Sequence, residues 1–377
     1  MMLGATAIIT TAAPAGAAKP STLTIGAINE TSGSCIARPI QDVPDTLTSW
    51  EKWVNHHGGI AGHPVSVIQY NDNCDAGQSV ADAQKLISAH VLAIIDGTGL
   101  DSSWSSAVTA AHIPVLCGIQ TGNGLNCFAN ANFFPAGATV LSSLYGNVLA
   151  AKKAGAKSFG VIYCTEVAAC AQALPLFKGY ATQLGLQYAP PLAASETATS
   201  YAAQCVTYQQ AHVNAVFPAG PPANTLAADC AQQGYHPIVT LSSGTWLNSY
   251  LRVSAMNGTT GTTSDIPWSI NNAATSAFHK ATGNLVHTAS SPYNVSVTWA
   301  AALLFQYAAA HVGSKVTTAS IYQGLYAMHD DTLGGFAPPL TFVKGKSTSV
   351  PCFFVVSIKK GAFTAPNGGK YGCEPTS

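Results

Sequence analysis

Asp72, Asp75, Asp96 and Asp101 are the acidic residues from which chemistry could be built, because folding can bring two of them face to face as a carboxylate pair. Paired carboxyl groups are the minimum equipment of a hydrolase that works by general acid and base catalysis, and that reading stays open. Other catalytic signatures are missing. There is no G-x-S-x-G elbow and no phosphate loop, and Gly97-x-Gly99 and Gly122-x-Gly124 each stop short of the third glycine of a dinucleotide fingerprint. No C-x-x-C or H-E-x-x-H occurs, and the eleven histidines are scattered, with His56 and His57 the only neighbours. No metal and no cofactor is expected. Two loops invite a binding role instead: Gly97-Thr98-Gly99-Leu100-Asp101-Ser102 and Cys117-Gly118-Ile119-Gln120-Thr121-Gly122. Both are rich in small residues that let a ligand approach the backbone closely, although turning the chain would explain the same glycines.

The elements that position these loops alternate. Short β-branched runs (Thr22 to Ala27, Val65 to Tyr70, Val91 to Ile95, Pro114 to Cys117) are separated by amphipathic segments, in which Leu47, Trp50 and Val54, then Val80, Ala83 and Ile87, share a helical face. That is the pattern of βα units around a mainly parallel sheet, an α/β fold. Gly58-Gly59 stops the first helix. After the bend at Phe134-Pro135-Ala136-Gly137 the pattern restarts, with Leu141, Leu144 and Val148 on a helix and Ser158 to Tyr163, Ala215 to Phe217 and Ile238 to Leu241 as strands. Ile266-Pro267-Trp268 marks a further passage, followed by helical patterns over Trp299 to Ala310 and Thr318 to Met328. A Gly/Pro segment from Gly334 to Pro339 then leads to two terminal strands. The chain is long enough for two lobes, and no Gly/Ser linker divides them, so interwoven lobes joined by short crossings are expected.

Composition narrows the class of partner. Of 377 residues 47% are apolar and 8% charged, with sixteen basic and sixteen acidic side chains. No field exists to attract polyanions, so nucleic acid is not an expected partner. Residues 1–18 are small and apolar and end in Ala15-Gly16-Ala17, which reads as a signal peptide, with a disordered tail as the alternative. No later run has transmembrane length, and Cys35 lacks a lipid-attachment context. A secreted or periplasmic, cell-surface-associated protein without direct membrane insertion is expected. Ten cysteines agree with an oxidising compartment. Their order suggests local pairs: Cys35 with Cys74, Cys117 with Cys127, Cys164 with Cys170, Cys205 with Cys230, and Cys352 with Cys373.

Several landmarks, in this order and spacing, resemble the type I periplasmic binding proteins, specifically the branched-chain amino acid branch serving ABC importers. They are Thr24-Ile25-Gly26, the run Asn55 to Val65, Tyr70-Asn71-Asp72-Asn73, Thr332-Leu333-Gly334-Gly335 and Pro338-Pro339-Leu340-Thr341-Phe342, and they cover nearly the whole mature chain. The resemblance implies two Rossmann-like lobes joined by three hinge crossings. Residues 21–135 and 268–333 would form lobe 1, and 136–267 and 334–377 lobe 2. It implies a monomer that closes on a small-molecule ligand and delivers it to a membrane ABC permease. The two glycine-containing loops would grip a ligand carboxylate, which places Thr98, Gly99, Leu100, Asp101, Ile119, Gln120 and Thr121 in the site.

The second lobe departs from that pattern. The tyrosine positions of the family fall near Ala168 and Pro221, and the acid that neutralises a ligand ammonium falls near Ser243, with Ala219 and Gly220 on the neighbouring loop. A buried cation needs a counter-charge. Glu166 is a substitute or else a solvated loop residue. A ligand with an anionic or neutral polar end and an apolar or aromatic body is therefore expected, amino-acid-like or an organic acid but not a standard zwitterion. Trp246, Trp268 and Tyr293 either stack on that body or belong to the core, whereas Trp104 and Trp299 are assigned to packing. A ligand-sensing ectodomain that partners a receptor is the remaining alternative.

Overall fold

The computed structural model describes residues 20–33, 41–122, 124, 126–166, 168–310 and 315–375. The leader and Cys35 lie outside the described residues. Strands β1 (Leu23–Asn29), β2 (Val65–Asn71), β3 (Ile94–Gly97), β4 (Val115–Cys117) and β5 (Phe133–Pro135) form a parallel sheet in the order β2-β1-β3-β4-β5. β1 is buried along almost its whole length, as a central parallel strand covered on both faces must be. Its helices include Asp42–His56, whose Leu47, Trp50 and Val54 are buried, and Gly58 at φ 92° follows its end.

The second sheet comprises β6 (Ser158–Cys164), β7 (Gln187–Tyr188), β8 (Leu192–Ala194), β9 (Ala215–Ala219), β10 (Ile238–Leu241), β11 (Thr260–Thr263), β12 (Cys352–Lys359), β13 (Ala362–Thr364) and β14 (Gly372–Cys373). Its path runs β13-β12-β11-β10-β9-β6-β7, parallel from β6 to β11 and antiparallel at β12 to β14. The architecture is α/β with mainly parallel sheets. We call the five-stranded unit lobe 1 and the larger one lobe 2.

Chain order is interwoven. The helix Pro292–Ala310, which follows most of lobe 2, packs back on lobe 1, where Phe305 meets Trp50 edge to face at 6.4 Å. That helix is buried on nearly every side, so its apolar residues show no single face. Asp42, at the start of the first helix, accepts hydrogen bonds from Ser290 N (3.0 Å), Ser290 Oγ (2.7 Å) and Ser291 N (2.9 Å), pinning the late segment to lobe 1. Satisfying a buried carboxylate with several donors is what makes its burial tolerable.

Three crossings run side by side between the lobes. Ala138 N donates to Ser264 O at 2.9 Å, and Ile266 N donates to Phe336 O at 2.8 Å. The first crossing needs glycine, because a Cβ at Gly137 would sit 2.2 Å from the Ser264 carbonyl oxygen. Two elements differ from the sequence expectation. Phe133–Pro135 is a strand rather than part of a bend, and Thr260–Thr263 is an interior strand whose buried threonines carry no apolar pattern.

Four cysteine pairs are closed: Cys117–Cys127, Cys164–Cys170, Cys205–Cys230 and Cys352–Cys373. Cys74 is also disulfide-bonded, and its expected partner falls outside the described residues.

Candidate functional site

All five strands of the first sheet end on one edge, and the parallel strands of the second sheet end on an edge that meets it. The contact is close: a Cβ at Gly122, in the loop after β4, would lie 2.6 Å from Ser243 Cβ in the loop after β10. Strand ends in parallel sheets are where α/β folds place ligands. On both edges a disulfide clips the loop, Cys117–Cys127 after β4 and Cys164–Cys170 after β6.

On the lobe 1 edge the Thr98 loop is held by carboxylates from neighbouring strands. Gly99 N donates to Glu30 Oε1 at 2.6 Å. The Thr98 hydroxyl lies 3.1 Å from the same oxygen and also contacts Asp72 Oδ2, and Thr98 N donates to Asp96 Oδ1 at 3.2 Å. Leu100 N donates to Thr98 Oγ1 at 3.1 Å, which shapes the turn. Thr98 is fully buried, Gly99 exposed and Leu100 half-buried. Asp101 is buried, and among the described residues one of its oxygens and one of Asp96 have no hydrogen-bond partner.

Burial raises the pKa of Glu30, Asp96 and Asp101. Glu30 is raised by desolvation against the lowering effect of Gly99 N–H and Thr98. Asp96 is pushed well above the usual carboxylate range by desolvation and then by Asp101, and Asp101 is raised by desolvation. A charge removed from water without a cation beside it is held less readily.

Of the four aspartates noted in the sequence, Asp72, Asp96 and Asp101 converge here. Asp75 does not; it caps the helix Ala76–Ser88 through Gln78 N at 2.7 Å. Asp72 and Asp96 are fully buried, which denies them the water a paired-carboxylate hydrolase must activate.

In the loop after β4, Ile119 and Thr121 are buried. Thr121 turns inward, its hydroxyl donating to Cys117 O and its N–H to Gly118 O at 3.0 Å. Gln120 is half-buried, and its Nε2 lies 3.7 Å from where a Gly99 Cβ would be. Gly99 and Gln120 thus lie beside one another without being fully covered.

The aromatic candidates are placed differently from the stacking role the sequence allowed. Trp246 is fully buried, donates from Nε1 to Thr262 O at 2.7 Å, and packs edge to face on Trp268 and Phe363. Trp268 is buried in the same cluster, 5.2 Å from Phe363. Their rings are covered by protein because β11 and β13 close over them. Tyr293 is also fully buried and serves as a link: Gly122 N donates to its hydroxyl at 3.3 Å, and the hydroxyl lies 3.3 Å from Ser264 Oγ, which donates to Ala138 O at 2.8 Å. Three buried groups therefore join the β4 loop to two crossings.

On the lobe 2 edge, Ser243 is buried against Ser143, the two hydroxyls 2.9 Å apart. Glu166 is exposed and serves its own lobe. Its Oε1 accepts from the Ser195 hydroxyl and from Glu196 N at 3.2 Å, and its Oε2 accepts from Thr165 N at 3.0 Å. The Ser195 hydroxyl is the main reason its pKa is lowered. Ala219 is half-buried and Gly220 exposed beside Cys164. Cys164, Cys170 and Glu196 are the one group among the described residues with metal-ligand spacing, but both sulfurs are spent in the disulfide.

Sequence reasoning missed Glu30. Its only signal was an acid directly after the first strand, and the partner that gives it meaning lies 69 positions away.

Two sheets that present strand ends to one another beside three hydrogen-bonded crossings define a two-lobed binding-protein fold of type I. The model of the family described as periplasmic binding protein matches residues 22–362, and the chain belongs to that family. No curated protein matches the sequence. Among solved structures, an extracellular ligand-binding receptor from Verminephrobacter eiseniae is similar with TM-score 0.75 at 15% identity, covering 91% of this chain and 99% of that one. A fatty acid ABC transporter substrate-binding protein from Thermomonospora curvata gives 0.72 at 19% identity, covering 94% and 91%. A leucine binding protein from Thermotoga maritima gives 0.71 at 15%, covering 91% and 97%. These likenesses extend the fold assignment over nearly the whole chain. Among the described residues no helix is long and apolar enough to cross a membrane.

Proposed function

We propose that the protein is the extracytoplasmic substrate-binding component of an ABC importer. It takes a small molecule between the two sets of strand ends, closes about the three crossings, and is read in that closed form by a membrane permease. The observation that carries this reading is the pairing of apposed strand-end loops with a hinge made of three adjacent crossings, Ala138 to Ser264 and Ile266 to Phe336. Family membership and the ABC transporter protein among the similar structures agree with it. The lobe boundaries follow the crossings, with 21–135 and 268–333 on one side and 136–267 and 334–377 on the other.

The ligand has a polar end and an apolar body. A standard zwitterionic amino acid is disfavoured because Ser243 stands where a counter-charge for its ammonium would be needed. The protein acts as a monomer outside the cytoplasm, where its disulfides persist.

Mass spectrometry of molecules released from the purified protein by mild denaturation identifies the ligand, and small-angle scattering with and without it tests closure. The expected result is one small molecule per chain and a smaller radius of gyration on binding. Binding with no compaction, or turnover of the molecule, contradicts the proposal.

A further inference from the structure

We infer that Glu30 decides what the lobe 1 wall accepts: its carboxylate fills the place where the Gly99 N–H would otherwise hold a ligand's anionic group, so the ligand meets an acceptor there. The inference rests on the binding role proposed above and assigns its polar subsite. A loop of small residues after β3 offers an amide and a hydroxyl that suit a carboxylate, and in this chain both are directed at a carboxylate of the chain itself. Gly99 N is 2.6 Å and Thr98 Oγ1 3.1 Å from Glu30 Oε1. Glu30 is only 6% exposed, so it belongs to the wall and not to the surrounding solvent.

The small part of Glu30 that stays accessible lies beside the exposed Gly99, whose amide it holds. The wall thus presents a carboxylate oxygen in place of an N–H donor. A hydroxyl or amide N–H of a ligand satisfies it, whereas a second carboxylate placed there meets repulsion from Glu30. Gln120, whose Nε2 lies beside Gly99, is positioned to hold the other side of such a group.

The test uses acetate as the probe and the Gly99 amide resonance as the reporter, so it needs neither the native ligand nor the transporter. In Glu30→Ala the vacated Gly99 N–H binds acetate saturably and its resonance shifts, with an affinity at least about tenfold above that of the unaltered protein, as a charge-assisted hydrogen bond predicts. Equal response in the two proteins, or none in the variant, overturns the inference. Should Glu30→Ala not fold, the unaltered protein decides: the Gly99 amide proton must move with titration of the Glu30 carboxyl, and a pH-independent resonance overturns the inference. Failure of hinge closure in scattering would contradict the binding role while leaving this local result standing.

Discussion

The two walls that face each other across the crossings are both acidic, but they handle their carboxylates in opposite ways. Lobe 1 buries Glu30, Asp72, Asp96 and Asp101 behind one threonine and one glycine, whereas lobe 2 leaves Glu166 exposed and ties it to its own Ser195 and Glu196. Desolvation dominates at Glu30, Asp96 and Asp101 and hydrogen bonding at Glu166, so the pKa values shift up on the first wall and down on the second. The polar groups of the lobe 1 wall are therefore held by one another in the interior, whereas the lobe 2 edge is exposed at Glu166 and Gly220.

The largest expected effect is on stability against pH. A carboxyl raised in the folded state holds its proton more tightly there than in the unfolded chain, where it titrates near ~3.9. Its stabilising contribution is complete below that value and is lost as pH rises through the folded pKa. Asp265, fully buried at the second crossing with its carboxyl pushed up to about 8, and Asp96 both act this way. Denaturant unfolding should show stability falling between pH ~4 and 8, by up to ~1.4 kcal/mol per pH unit for each proton released. Asp265→Asn should flatten that slope, and an unchanged slope contradicts the assignment. Glu166, being lowered, works in the other sense: its contribution is present above the ordinary glutamate range and lost as pH falls below it.

Thr98→Val comes next. It removes the hydroxyl that contacts both Glu30 and Asp72 in the interior, and unfolding should be easier by about 2–3 kcal/mol, the range for buried hydrogen bonds to charged groups. Removing the clip on the opposite wall by Cys164→Ala with Cys170→Ala should cost about 2 kcal/mol by thermal or denaturant melting, because its loop is short. Ser195→Ala is the smallest. It deletes an exposed hydrogen bond to Glu166 and should change stability by less than about 0.5 kcal/mol. If Ser195→Ala and Thr98→Val weaken the protein equally, the contrast between the walls is wrong.

Much of the fold was legible because strands such as β1 and β6 are short, largely apolar runs and the first helix carries Leu47, Trp50 and Val54 on one face. β11 was hidden because it is Thr-Gly-Thr-Thr, buried through hydrogen bonds such as Thr262 N to Asn147 Oδ1 and not through apolar surface. The start of the Pro292–Ala310 helix was hidden for the opposite reason, since a helix buried on all sides has no periodic face. In the site, the loop positions of Gly99 and Gln120 followed from small residues after strands. Burial of Trp246, Trp268 and Tyr293 did not follow, because an aromatic residue looks the same in a list whether its ring faces a cleft or β13. Glu30 was invisible for want of its partner, which only the pairing of β1 with β3 brings beside it.

The central claim is that a small molecule is held between these two unlike walls. A crystal structure of the protein with the molecule that co-purifies with it tests this most directly. The account predicts one molecule touching Gly99 or Gln120 on one side and Ala219 or Gly220 on the other, with a hydrogen-bond donor against Glu30. A molecule bound to one lobe alone would contradict it, for instance in the concavity of about 950 Å³ lined by Lys153, Val355 and Lys359 at the opposite edge of the lobe 2 sheet.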